Sequence, residues 1–348
     1  MARTDHYAIL LAINNYPGLR NLAGPENDVA AFADWLRDPK GGDVDPANIR
    51  IIKSTDFPPV ADPNLANPQE RAFIAALDKW MRDSQRNWVN RVGARLYLYM
   101  AGHGFTAGSS LSDPALFSAV AQNGDTAHIA GYRYASKIAD AGFFDEIVLM
   151  MDCCQDVLKA SQVVEPTWSP PGRNRAAQVK LLQAYGAPRG QAAFERQEAP
   201  GGPTRGYFST VMLEALRTAL PAADGFVNGQ TLKNQFLQIW NDRYKTETGY
   251  DPPIRPPDGT DLQLFARSRT PAPANGVLPV SFVVNAPVPD NATLDIVSGG
   301  AAGAVIRLPA ANLTPQTLSP GLYKAVLSPT DRTVLFEVTG IVPLTVTL

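Results

Sequence analysis

The sequence predicts an α/β protein: a mainly parallel sheet flanked by helices on both faces, followed by a small C-terminal all-β sandwich. Three observations carry this prediction. Over residues 1–266, apolar runs of strand length alternate with stretches of helical period, the pattern of β-α-β units. Those runs are apolar almost throughout, as strands covered on both faces are. After a Pro/Ala linker at 267–279 (RSRTPAPANGVLP), the texture over 280–348 changes to short β-rich runs punctuated by Gly, Pro and Asn.

The elements follow in order. Residues 7–13 (YAILLAI) form the first strand. Gly24-Pro25 is a helix start, and Val29, Phe32 and Leu36 then recur at the spacing of one helical stripe. Residues 49–53 are a second short strand. Phe73, Leu77, Trp80 and Met81 mark a second helix after Asn67-Pro68. Residues 95–101 (RLYLYMA) are a third strand that stops at Gly102-His103-Gly104. A helical stretch at 132–141 leads into a strand at 146–151. Residues 159–178 carry three prolines and no period, and are expected as a loop. One more strand at 179–182 precedes a Gly/Pro/Ala-rich loop at 186–205. Helices are expected at 208–220 and at 230–245, where Leu232, Phe236, Ile239 and Trp240 share a face. Residues 261–266 are expected to close the unit as its last strand.

Composition narrows the function classes. A chain of 348 residues with 45% hydrophobic residues buries a sizeable core and needs no disulfide or metal staple. A net charge of -2 gives no footprint for nucleic acid or an anionic membrane. The first residues, MARTDHYAILLAINNYPG, lack the pattern of a signal peptide or spanning helix, so a cytoplasmic location is expected, with thiols reduced.

The only two cysteines, Cys153 and Cys154, stand side by side behind Asp152 at the end of an apolar run, IVLMMDCCQD. Disulfide geometry disfavours a bond between neighbours, and two thiols without a Cys/His cluster make a poor zinc site. In open parallel sheets, active sites lie beyond the carboxyl ends of strands. Two strands here end in reactive groups, one at His103 and one at the cysteine pair. A thiol nucleophile needs a base within hydrogen-bond reach, and neighbouring strands would supply it. Set against this is the bland reading, in which a free cysteine is buried packing. His6 and His128 lack any partner pattern.

Four stretches, taken in order, resemble the caspase-like clan of cysteine peptidases, in particular the bacterial metacaspase type. They are AILLAINNYPGLRNLAGPENDVAAF, LYLYMAGHGF, IVLMMDCCQD, and LLQAYGAPRGQAAFE with GYFSTVMLEAL. A cysteine with its histidine about 50 residues upstream is the caspase arrangement. The resemblance covers about residues 5–266 and implies a caspase-like sheet. It places the nucleophile at Cys154 and the general base at His103. Cys153 falls where the family commonly has serine, and would point the other way. The N–H groups of Gly104 and Cys154 would hold the oxyanion. Two departures stand out: Gln155-Asp156-Val157 replaces the His-Ser-Gly that follows the family's cysteine, and Ala101 lacks the hydroxyl that many metacaspases carry two residues before the histidine.

The resemblance also implies cleavage after Arg or Lys. A pocket for a basic side chain requires buried carboxylates. Asp152 would face the same side of its strand as Cys154, Asp28 opens the first helix, and Glu195 stands where the family has a third acid. Asp28 and Asp152 also have plain readings, as a helix-dipole partner and a turn acid. An aspartate-specific pocket would need convergent arginines; Arg20 and Arg205 exist but match no motif. The loop at 159–178 corresponds to the segment that relatives cut in self-processing, and contains Lys159, Arg173 and Arg175. Expected partners are a protein substrate with Arg or Lys before the cut bond and an activating protein in a bacterial stress or defence pathway. No cofactor or metal is expected. Many metacaspases respond to calcium, but no loop of regularly spaced acids is present, so calcium dependence stays open. The alternatives are a caspase-fold binding module with weak or no turnover, and a zymogen silent until triggered.

Overall fold

In the computed structural model, the five strands predicted at 7–13, 49–53, 95–101, 146–151 and 179–182 join a two-residue edge strand to make one six-stranded sheet. The structure describes residues 2–107, 113–159, 161–172, 178–197, 199, 201–222, 224–257, 261–266, 278–284, 289, 291–298, 305–318, 321–330, 332–338 and 344–348. These fall into two compact units, Met1–Arg267 and Ser268–Leu348. In the first unit the main elements are β1 (His6–Ala12), α1 (Pro25–Arg37), β2 (Ile49–Lys53), α2 (Glu70–Met81) and β3 (Gly93–Ala101). Next come β4 (Gly104–Ala107), β5 (Pro114–Phe117), β6 (His128–Ile129), α3 (Gly131–Ala141), β7 (Phe144–Asp152), β8 (Asp156–Leu158) and β9 (Lys180–Tyr185). The rest are β10 (Glu195–Gln197), β11 (Thr204–Gly206), α4 (Tyr207–Thr218), β12 (Phe226–Asn228), α5 (Gly229–Arg243), α6 (Lys245–Thr248), β13 (Ile254–Arg255) and β14 (Gln263–Ala266).

The central sheet has the order β13-β9-β7-β3-β1-β2. Every pairing is parallel except that of β13 with β9. Residue parity assigns side chains to its two faces. Leu10, Tyr99, Val148 and Met150 pack with apolar residues of α1, α4 and α5. Ile9, Leu98, Leu149 and Met151 pack with α2 and α3 on the opposite face. This explains the unbroken apolar runs: each strand is covered twice. The register pairs Ala101 with Asp152, so the carboxyl ends of β3 and β7 lie side by side.

Several elements differ from the sequence expectation. The strand expected at 261–266 is present as β14, the last of its unit, but it pairs antiparallel with β12, and β13 forms the edge of the central sheet. A second sheet, β6-β5-β4-β8, follows the two strand ends that carry His103 and the cysteines. Its strands have two to four residues, too short for periodicity to mark them. The segment at 186–205 contains the antiparallel hairpin β10–β11. Among the described residues, no helix is long and apolar enough to cross a membrane.

The second unit contains β15 (Leu278–Val283), β16 (Thr293–Ser298), β17 (Val305–Pro309), β18 (Gln316–Leu318), β19 (Gly321–Ser328), β20 (Arg332–Val338) and β21 (Leu344–Thr347). They form a three-stranded sheet, β18-β15-β21, and a four-stranded sheet, β17-β16-β19-β20. Pairings are antiparallel apart from β15 with β21. Alternate residues such as Leu294, Ile296, Ala325 and Leu327 point into a core of their own.

Candidate active site

The two adjoining strand ends open into a cavity of about 290 Å³. Its lining includes His103, Cys154, Asp28, Asp152 and Glu195, together with Arg20, Ala101, Ala193, Phe194 and Gly206. Residues from five separate stretches of chain therefore share one pocket.

Cys154 lies just past β7. Cys153, one residue earlier, is 2% exposed and sits in the core on the α2–α3 side. The alternation along β7 thus buries one thiol and leaves the other at the cavity. Burial pushes the Cys153 thiol well up, and it stays protonated. Burial also pushes the Cys154 thiol up to about 11, with Asp156 and Asp152 adding repulsion. The Ala193 N–H, 3.3 Å from Sγ, pulls the other way. The Cys154 thiol in turn donates to the Ala193 carbonyl at 3.8 Å. Among the described residues, no hydrogen bond joins the thiol to the imidazole.

His103 follows the turn at Gly102, where φ is +155° and a Cβ would run into the Tyr16 hydroxyl. Its Nε2 is 2.7 Å from the Arg20 carbonyl. A carbonyl only accepts, so Nε2 carries the hydrogen and the neutral ring keeps its lone pair on Nδ1. Tyr16, 1% exposed, accepts a hydrogen bond from the His103 N–H at 3.1 Å and donates to the Phe117 carbonyl at 3.2 Å. Its ring lies 4.9 Å from the imidazole. The Phe117 N–H donates to the His103 carbonyl. By antiparallel alternation, the N–H of Gly104 then turns away from β5. A Cβ at Gly104 would fall 2.7 Å from Cys153 Sγ and 2.8 Å from the Cys154 carbonyl, so only glycine fits there.

The acids line the same cavity. Asp28 is 1% and Asp152 is 8% exposed. Asp28 Oδ2 accepts the Gly206 N–H at 2.9 Å, and Oδ1 accepts Arg205 Nε at 3.1 Å. Asp152 Oδ2 accepts both the hydroxyl and the N–H of Ser209, at 2.5 and 3.2 Å. The Ser209 hydroxyl also meets Tyr99 at 2.5 Å. Ser209 lies in the first turn of α4, so Asp152 sits at that helix's N-terminus, where N–H groups lack intrahelical partners. Burial and the charge of Asp152 hold the Asp28 carboxyl well above the usual range. Burial pushes Asp152 up to about 6, against the pull of Ser209. Gly206 lies against both acids, and a Cβ there would strike Asp152 and press on Asp28 Oδ2 at 3.1 Å. Glu195 plays a different part: its carboxylate accepts the N–H groups of Ala23 at 3.1 Å and Gly24 at 2.7 Å, clamping β10 to the start of α1.

The departure at Gln155 has a local use. Its N–H donates to the Gln191 carbonyl, its carbonyl accepts from Gly190, and its amide donates to the Ala187 carbonyl at 2.5 Å. The loop that carries Ala193 is thereby tied to the nucleophile's own turn. Arg173 and Arg175 lie outside the described residues; Lys159 is exposed at the end of β8. Sequence reasoning did not find Tyr16, Ser209, or the roles of the Arg20 carbonyl and Arg205. Only the serine and threonine after Gly206-Tyr207-Phe208 hinted at polar groups entering a helix. Among the described residues, no group of three or more His, Cys, Asp or Glu side chains could hold a metal ion.

Among solved structures, caspase-1 from Spodoptera frugiperda is similar at 13% identity and a TM-score of 0.43, over 73% of this chain and 87% of that one. The structure described as pro-sf-caspase-1 is similar at 13% identity and a TM-score of 0.39, over 75% and 91%. A search of curated proteins finds no match. The family model described as Caspase domain matches residues 5–232, well over half of the chain, so the protein belongs to the caspase-domain family of cysteine peptidases.

Proposed function

We propose that this chain is an endopeptidase of the metacaspase type that cuts peptide bonds after Arg or Lys, with Cys154 as nucleophile and His103 as general base. The observation that carries the reading is the pair of buried carboxylates, Asp28 and Asp152, in the cavity that also holds the thiol and the imidazole. A buried acid pair recognises a guanidinium or ammonium group and repels an acidic one.

In this mechanism His103 Nδ1 takes the thiol proton while Sγ forms a bond to the scissile carbonyl carbon. The Arg20 carbonyl holds Nε2–H and so steadies the imidazolium. The developing oxyanion is received by the N–H groups of Gly104 and Cys154. His103 then protonates the leaving amine, and a water molecule, deprotonated by the same imidazole, hydrolyses the thioester.

The thiol's engagement with Ala193 favours a second reading, a resting form that must be released. At about 11 the thiol is protonated at neutral pH, and its hydrogen bonds go to the Ala193 backbone. Release by an activating protein in a stress or defence pathway, or by cutting at Lys159, Arg173 or Arg175, fits this state. A caspase-fold binding module without turnover is the remaining alternative.

The test is turnover of fluorogenic peptides ending in Arg, Lys, Asp or Ala. Cleavage after Arg and Lys that disappears in Cys154→Ala supports the proposal. Cleavage after Asp, or activity that survives Cys154→Ala, refutes it. Turnover that starts only after limited proteolysis supports the resting form, and mass spectrometry of the treated chain locates the cut.

A further inference from the structure

Arg205 stands beside the acid pair, and no motif of the sequence accounts for it. It lies on β11, paired with Arg196 of β10. This hairpin is docked on α1 and the turn before it at four points: Glu195 on the N–H groups of Ala23 and Gly24, Asn27 Nδ2 on the Thr204 carbonyl at 2.8 Å, and both Arg205 and the Gly206 N–H on Asp28. The Arg205 side chain is only 15% exposed. Among the described residues, its Nη2 is buried without a hydrogen-bond partner. A side chain that only stabilised the hairpin would be expected to satisfy that donor.

We infer that Arg205 is a specificity-determining residue: it occupies Asp28 from within the chain, so that the pocket presents a single open carboxylate to a substrate's basic side chain and favours ammonium over guanidinium. This inference rests on the Arg/Lys reading and refines it. Both oxygens of Asp28 already have donors, Arg205 Nε and the Gly206 N–H. Asp28 is thus engaged by donors of this chain. Asp152 then supplies the net negative charge, through the oxygen that Ser209 does not engage. A guanidinium is a planar fork that matches a pair of oxygens, whereas an ammonium is a compact charge served by one. Removing Arg205 frees Asp28 Oδ1 and lets the two acids face a guanidinium together.

The test uses the full chain at about pH 8, where Asp152 is ionised. Butylguanidine and pentylamine stand in for the substrate side chains, and their binding is measured by calorimetry on a Cys154→Ala background. Turnover of matched arginyl and lysyl peptides is measured with Cys154 present. Arg205→Met keeps the stem and removes the charge; Arg205→Lys keeps the charge. Arg205→Met is expected to gain about tenfold in butylguanidine affinity relative to pentylamine, one charge-assisted hydrogen bond's worth. Its Arg-to-Lys ratio in kcat/KM should rise by a similar factor, and Arg205→Lys should remain near the wild type. Arg205→Leu, which likewise removes both the charge and the donor to Asp28, predicts the same direction and serves if the Met variant does not fold.

Loss of both ligands in parallel, or no gain in guanidine affinity, overturns the inference. If basic peptides are cut with the same Arg-to-Lys ratio in wild type and variant, the specificity role of Arg205 fails while the cleavage reading stands. If no basic peptide is cut but the variant gains butylguanidine, the cleavage reading fails and the role of Arg205 in the pocket stands.

Discussion

Replacing Ser209 by alanine tests the acidic pocket at the group that keeps Asp152 charged. Burial pushes Asp152 up to about 6, and the Ser209 hydroxyl and N–H oppose that rise. The hydroxyl bond is 2.5 Å long and fully buried. A hydrogen bond to a charged acceptor contributes about 1.5–3 kcal/mol, and about 1.4 kcal/mol corresponds to one pKa unit. Losing the hydroxyl should therefore raise Asp152 by about 1–2 units, to roughly 7–8. At pH 7 its ionised fraction would fall from about nine-tenths to between about one-half and one-tenth. Only the carboxylate attracts a basic side chain, so affinity should drop about two- to tenfold at pH 7 and recover by about pH 9. In the wild type the same loss should appear only as pH falls through about 6. The assay is the dissociation constant of butylguanidine from about pH 5 to about pH 9, read in Cys154→Ala so that titration of the thiol does not intrude. A loss of equal size at every pH would refute the reasoning, because it would mean that Ser209 shapes the pocket without holding its charge.

Three further predictions concern the same site. The folded-state pKa of Asp152 is raised, so its favourable contribution to stability is present below the unfolded value and is lost as pH rises through about 6; Asp152→Asn should therefore be more stable than wild type at pH 7, by up to about 3 kcal/mol, with the gap closing near pH 4 in urea titrations. Tyr16→Phe removes the hydroxyl between the His103 N–H and the Phe117 carbonyl; it should lower kcat about tenfold with little change in KM and cost about 1–3 kcal/mol in a thermal melt. Gly206→Ala keeps an ordinary backbone, at φ -66°, but its Cβ would collide with Asp152 and crowd Asp28; the circular dichroism of a folded chain should persist while butylguanidine affinity falls more than about tenfold.

Much of this architecture was legible in the chain. The runs at 7–13, 95–101 and 146–151 are apolar at every phase, which suits strands covered on both sides, and they became β1, β3 and β7 of the central sheet. Val29, Phe32 and Leu36 marked the buried stripe of α1. Where the reading missed, the segments were too short or too dependent on partners. The run at 261–266 has strand texture, yet nothing local says which edge it joins, and it paired with β12. The strands β4 and β8 are placed by the ends of β3 and β7 that they follow, and β5 and β6 pair outward from β4, none of them marked by a periodicity of its own.

The same division runs through the site. By itself the sequence determined which groups stand at strand ends: His103 after one apolar run, Asp152 and the cysteine pair after another, Asp28 at the opening of a helix. Alternation along a strand was enough to assign the two thiols to opposite faces. Only the tertiary structure decided the partners. It set Ser209 under Asp152, Arg205 against Asp28, the Arg20 carbonyl on His103 and the Ala193 backbone on Cys154. Side-chain direction follows from backbone geometry over a few residues, so it can be read along the chain. Charge state and hydrogen bonding depend on burial and on neighbours brought from distant positions, and those exist only once the chain has folded.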